Sequence, residues 1–219
     1  MTGTMKNLNH PLKGQNGFTL VELLISTVLT LSLLGAVYGV YKVQARNLKV
    51  QDDRLAAQEY ARSVVDLIVR EIRNAGFAPN GGGCGVLRAE AQVLQFTYDA
   101  NANGLCVTDA NENITYGFDT TGCPNGFGNI TRKDGLNDPQ ALTDCNVPTG
   151  AANFSFTYFQ QNSATALATP VTGLTLATIQ RVVVTVAIQS KNPDLEFGGQ
   201  LTVTMTSNAD LRNRGLPAS

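Results

Sequence analysis

Few residues in this chain are equipped for chemistry, and they gather in a few places. Glu22 is the one charged residue in an apolar run from Phe18 to Tyr41. An ionisable group in such a run costs about 2.5–3.5 kcal/mol at a membrane's centre and less near an end, so it marks a function by default. A second place is "DANANG", Asp99 to Gly104. It fits the opening D-x-[DN]-x-[DN]-G of a calcium loop, with oxygen ligands at alternate positions and a glycine at the sharp turn. Asp99, Asn101 and Asn103 are its candidate ligands, but the twelfth position is Ala110 where a bidentate Glu is expected, leaving Asp109 or Glu112 to substitute in an irregular loop. An Asx-rich turn is the plainer reading of the same residues. Asp99, Asp109, Glu112 and Asp119 lie in turns or flank strands, where solvated acids are ordinary.

The single histidine is His10, in a polar N-terminal stretch, and no GxxxxGK[ST] phosphate loop is present. "NGGGCG" lacks the strand-to-helix setting of a phosphate cradle and reads as a turn. These features point away from catalysis and from any cofactor other than calcium. The formal net charge is −1 with no Lys/Arg-rich run. Nucleic acid is therefore not expected as a partner, because phosphate binding leaves a basic footprint.

Cys84, Cys106, Cys123 and Cys145 form no CxxC pair, and no downstream histidine could complete a zinc finger. An even number spread through Gly/Asn-rich loops predicts two disulfides in an oxidising compartment. Of the three pairings open to four cysteines, Cys84–Cys106 with Cys123–Cys145 closes the shortest loops.

The elements that position these residues follow from periodicity. The run 18–41, at 1.5 Å per residue, spans about 36 Å, enough to cross a hydrocarbon core of roughly 30 Å. It is too long for the apolar region of a cleavable secretory signal. From Lys42 to Ala75 no helix breaker intervenes, and Ala57, Ala61, Val64, Val65, Ile68 and Ile72 recur at helical spacing. Gly76 after Arg73-Asn74-Ala75 is a helix stop. One helix over about 18–75 is predicted, apolar all round in its first half and amphipathic in its second.

Beyond it the period changes to two. Strands are predicted at 93–99, 114–118, 153–159, 178–189 and 200–207, rich in Val, Thr, Phe and Tyr. They are separated by the turn formers "DANANG", "TTGCPNGFGN", "KDGLNDP" and "KNPD". With no helical pattern between them the sheet should be antiparallel, its apolar face lying on the amphipathic half of the helix. The fold class is α+β, with disulfide-stapled loops.

"KGQNGFTLVELLIS" resembles the prepilin motif of type IV pilins and type II secretion pseudopilins: a basic leader, Gly-Phe-Thr-Leu-Val-Glu, then an uninterrupted apolar helix. The resemblance implies that a prepilin peptidase and methyltransferase cuts after Gly17 on the cytoplasmic side and methylates the new N-terminal Phe18. It implies that Glu22 of an incoming subunit pairs with the terminal amine of one already docked. The chain then divides into a leader 1–17 (from Met1, or from Met5 as the true start), a membrane and filament-core helix 18–41, an amphipathic helix 42–76, and a β-rich head 77–219.

Major pilins of this family commonly carry a proline near the twenty-second mature position, where this chain has Gly39. Gly35 lies four residues earlier, and small residues at that spacing let membrane helices approach closely. "REIRNAGF", "VLQFTYD", "NITYGFD", "ITRKDG", "FSFTYF", "IQRVVVTVAI" and the terminal "LRNRG" follow in that order. Together they resemble PilW-type minor pilins and the J-type minor pseudopilins of type II secretion. That likeness implies a non-enzymatic subunit of the inner membrane, head in the periplasm, which joins other minor and major pilins to prime or tip a filament. A more remote expectation is a membrane-anchored periplasmic binding or DNA-uptake protein.

Overall fold

The computed structural model describes residues 17–81, 83–109, 111–190 and 200–211. Outside the described residues lie the leader up to residue 16 with Met1, Met5 and His10, Gly82 of the glycine run, Ala110, the turn at 191–194 and the end of "LRNRG" at 212–215.

The chain divides into two units after Lys49, and one helix, α1 (Leu20–Ile72), contributes to each. Nothing in its 53 residues interrupts the helix: Gly35 and Gly39 are tolerated, and no proline occurs. In the first unit the apolar side chains from Phe18 to Tyr41 all face outward, and the stretch is long and apolar enough to cross a membrane. In the second unit Ala57, Ala61, Val64, Val65, Ile68, Val69 and Ile72 are buried, one face at the spacing read from the sequence. The helix ends through turns into Gly76, whose φ of +80° is the left-handed stop that glycine adopts without a Cβ penalty.

The strands are β1 (Val86–Ala89), β2 (Leu94–Thr97), β3 (Asn113–Asp119), β4 (Phe127–Asp134), β5 (Gln140–Ala141), β6 (Val147–Pro148), β7 (Phe154–Gln160), β8 (Ile179–Gln189) and β9 (Thr202–Asp210). A 3-10 helix, Gly173–Thr178, precedes β8. The single predicted sheet is two. β1 to β5 run in sequential order with β6 on β4, while β7, β8 and β9 form a second, three-stranded sheet. All pairings are antiparallel. A shared core joins α1 to both sheets through Phe96, Tyr116, Ile130, Phe154, Tyr158 and the β8 residues Val182, Val184 and Val186. The head is thus an α+β layer of a long helix on antiparallel sheets.

β4 runs through residues read from sequence as turn. Its hidden determinant is Gly128, where an added Cβ would meet the Phe118 ring at 2.5 Å and the Asp119 carbonyl at 2.7 Å. A glycine that looks like a turn former is there so that β3 can lie close.

Two disulfides staple the loops, Cys84 to Cys106 and Cys123 to Cys145, each across a separation of 22 residues.

Candidate functional site: the N-terminal end of the long helix

The residues singled out at the start of α1 do not sit idle in the folded chain. Thr19 precedes the first helical turn, and its backbone N–H donates to Glu22 Oε2 at 3.0 Å. Its hydroxyl donates to the same oxygen at 3.0 Å, while the Glu22 N–H donates back to Thr19 Oγ1 at 3.3 Å. This is a capping box, T-x-x-E, in which two amide donors left over at the helix start are satisfied reciprocally. The acid also meets the positive end of the helix dipole. The spacing was visible in "TLVE", but reading Glu22 for its charge alone hides this second bond pattern.

Glu22 is exposed, as are Gly17 and, at 84% of its surface, Phe18. A Cβ placed on Gly17, Gly35 or Gly39 would meet nothing within 4 Å. Further along the same helix Ser26, Thr30 and Ser32 return their hydroxyls to carbonyls one turn back, at 2.6–2.9 Å. These hydroxyls are thereby satisfied inside the helix and need no partner outside it.

The helix is fixed to the head by a polar contact that sequence reading missed. Glu71 accepts from the Tyr116 hydroxyl at 2.5 Å and from Arg132 Nε at 3.0 Å, joining α1 to β3 and β4. Burial, and the hydrogen bond to Glu71, push the Tyr116 phenol well above its ordinary range. Eleven residues earlier the Tyr60 hydroxyl donates to the Leu142 carbonyl at 2.9 Å.

The calcium candidates sit in the β2–β3 loop, which the Cys84–Cys106 disulfide tethers at Cys106 to the segment before β1. Here the sequence reading needs a correction: Asp99 and Glu112 are not solvated, with 0% and 2% of their surface exposed. The loop folds inward because both carboxylates accept its backbone N–H groups. Asp99 takes those of Asn103 and Gly104 at 3.1 and 2.9 Å, and Glu112 those of Ala100 and Asn101 at 2.9 and 3.1 Å. Asp109 stays at the surface, where the side-chain amides of Asn101 and Asn103 hold its carboxyl below the usual range. Asp119 is likewise exposed, and the Thr121 N–H lowers its carboxyl.

Residues 12–38 match the model of the prokaryotic N-terminal methylation motif. The chain therefore carries a type IV prepilin signal at the head of α1, and Gly17, Phe18, Glu22 and Gly35 fall within the matched stretch. Among solved structures it is similar to a type IV-like pilin from Thermus thermophilus, at 12% identity over 74% of this chain and 99% of that one, with a TM-score of 0.41. No curated protein matches the chain.

Proposed function

We propose that this protein is a prepilin that becomes a minor type IV pilin, a structural subunit with no catalytic role. The observation that carries the reading is the methylation motif at 12–38, placed on a helix whose apolar half keeps its side chains outward. A prepilin peptidase cuts after Gly17 and methylates Phe18. Before assembly the apolar half of α1 lies in the inner membrane with the head in the periplasm; afterwards it packs among neighbouring pilin helices.

In that packed bundle little water remains, and the amine created at Phe18 is an uncompensated charge. Glu22 of the next subunit supplies the compensation. Leaving either partner alone would bury an unpaired charge at a cost of several kcal/mol. Uncut protein lacks that amine, so cleavage licenses assembly. Gly35 and Gly39 form a small-residue face on which a neighbouring helix can approach closely.

The proline-free helix at Gly39, where major pilins commonly have proline, and the succession of motifs from "REIRNAGF" to "IQRVVVTVAI" are what support reading it as a minor, PilW-type subunit that primes or tips the filament. The J-type minor pseudopilin of type II secretion uses the same physics in another machine.

Mass spectrometry of the native N-terminus tests the reading. A chain beginning at N-methylated Phe18 is expected, and an unmethylated chain beginning at Met1 or Met5 would overturn it. Deleting the gene and scoring surface filaments against type II secretion separates the two machines. Loss of filaments with secretion intact is the outcome expected for a minor pilin.

A further inference from the structure

The β2–β3 loop holds two buried carboxylates, Asp99 and Glu112, and neither forms an ion pair among the described residues. Backbone N–H groups occupy both oxygens of Asp99 and one of Glu112. The other, Glu112 Oε2, is buried and has no hydrogen-bond partner. A carboxylate oxygen taken out of water and given no donor is costly, and native proteins rarely keep one without a use. Glu112 Oε1 is clamped by the N–H groups of the loop's second and third residues, so its carboxylate lies against the loop's first turn.

That turn is the segment whose sequence is D-x-N-x-N-G. Gly104, its sixth residue, has φ +81°, the left-handed turn this pattern requires. The amide oxygens of Asn101 and Asn103 each accept one backbone N–H, from Asn103 and Leu105, and keep a second lone pair. The Glu expected at the twelfth position is absent, yet two residues further on Glu112 supplies a buried carboxylate to the same loop.

We propose that Asp99, Asn101, Asn103, Asp109 and Glu112 bind a calcium ion. The donors are all oxygen, carboxylate and amide, which suits a hard cation. Their unequal reach suits the irregular coordination of calcium better than the strict octahedron of magnesium. Among the described residues no three carboxylates converge on one point as the loop stands. Asp109 is tied to this turn through the side-chain amides of Asn101 and Asn103, which both donate to its carboxylate. The Cys84–Cys106 bridge ties the middle of the loop to the segment before β1, and the Phe77 carbonyl accepts the Asp99 N–H at 2.7 Å. This inference does not depend on the pilin reading, since it concerns the head's own loop.

The test is calorimetric titration of the full chain in detergent micelles, stripped with a chelator, with calcium chloride and in parallel magnesium chloride. One calcium per chain is expected, with a Kd on the order of 10 µM to 1 mM and at least tenfold preference over magnesium. The melting temperature should rise in about 10 mM calcium, because a ligand of the folded state stabilises it. Glu112→Gln, which keeps an acceptor for the two backbone N–H groups, should weaken binding at least tenfold. Asp109→Asn, at a partly exposed position, should weaken it several-fold while the ion-free chain stays folded. Absence of heat and of a melting shift in a chain that circular dichroism shows to be folded would overturn the site. Equal affinity for magnesium, or full affinity in Glu112→Gln, would do the same.

Discussion

Thr19 and Glu22 hold each other: the threonine N–H and hydroxyl both reach one carboxylate oxygen at 3.0 Å, and the glutamate N–H returns the bond at 3.3 Å. On the function proposed above one acid has two uses, the cap on its own helix seen in the single chain and the proposed compensation of a neighbour's amine in a filament. The two are separable by substitution. Glu22→Ala loses both, and should still insert and be cleaved yet be nearly absent from sheared filaments on immunoblots. Thr19→Ala loses only the cap, worth about 0.5–2 kcal/mol, and should be incorporated far better than Glu22→Ala. Normal incorporation of Glu22→Ala would sink the pairing model.

For the proposed cleavage after Gly17 the question is steric access for the peptidase rather than folding. A Cβ there meets nothing within 4 Å, so the chain itself does not require glycine. Gly17→Ala should be cut, whereas Gly17→Trp should accumulate as uncut precursor, visible as a heavier band. Efficient cutting of the tryptophan variant would place the constraint elsewhere.

Two ion pairs in the head make a matched comparison. Glu71 and Arg132 keep 18% and 19% of their side-chain surface exposed, against 54% for Arg88 and 37% for Glu90. Removing Glu71 strands the guanidinium and the Tyr116 hydroxyl in a half-dry site, at about 1–3 kcal/mol. Removing Arg88 should cost about 0.5 kcal/mol or less. Chemical unfolding of Glu71→Ala and Arg88→Ala against the parent measures the difference, and equal losses would contradict it.

Alkali offers a third handle on the same contact. Burial raises both Tyr116 and Tyr158 above the ordinary phenol value; Tyr116 also bonds Glu71, while the Tyr158 hydroxyl donates to the Glu90 carbonyl at 2.8 Å. The unfolded chain releases these protons near pH ~10 while the folded head retains them. Their stabilisation is therefore complete below that pH and declines as pH rises beyond it. Urea midpoints followed from pH ~9 to ~11.5 should fall, and less steeply in Tyr158→Phe. An identical slope in that variant would remove Tyr158 as the cause.

How much of this was legible depends on the range of the interactions involved. The buried face of α1, from Ala57 to Ile72, is a local pattern: helical spacing without a breaker leaves one solution. β8 and β9 declare themselves by their runs of β-branched residues. β4 does not, because Gly128 is chosen for a ring that meets it from β3. The division into two sheets was equally hidden, since it depends on which strands pair across long separations. Glu71 looked like any acid on a helix's wet side; Tyr116 and Arg132, 45 and 61 residues away, make it a fixing point. Asp99 and Glu112 misled in the same way, since a sequence does not reveal that a turn has folded over its own acids.

The two polar fixings of α1, Tyr60 on the Leu142 carbonyl and Glu71 on Tyr116 and Arg132, are eleven residues apart. That is about 16 Å, close to three full turns, so they meet the head from nearly the same side. A rod pinned at one point swivels; one keyed at two points along a line behaves as a splined shaft. Within the head, this helix cannot be wrung about its own axis without breaking both keys, so torque applied to it is carried straight into the β-sheets.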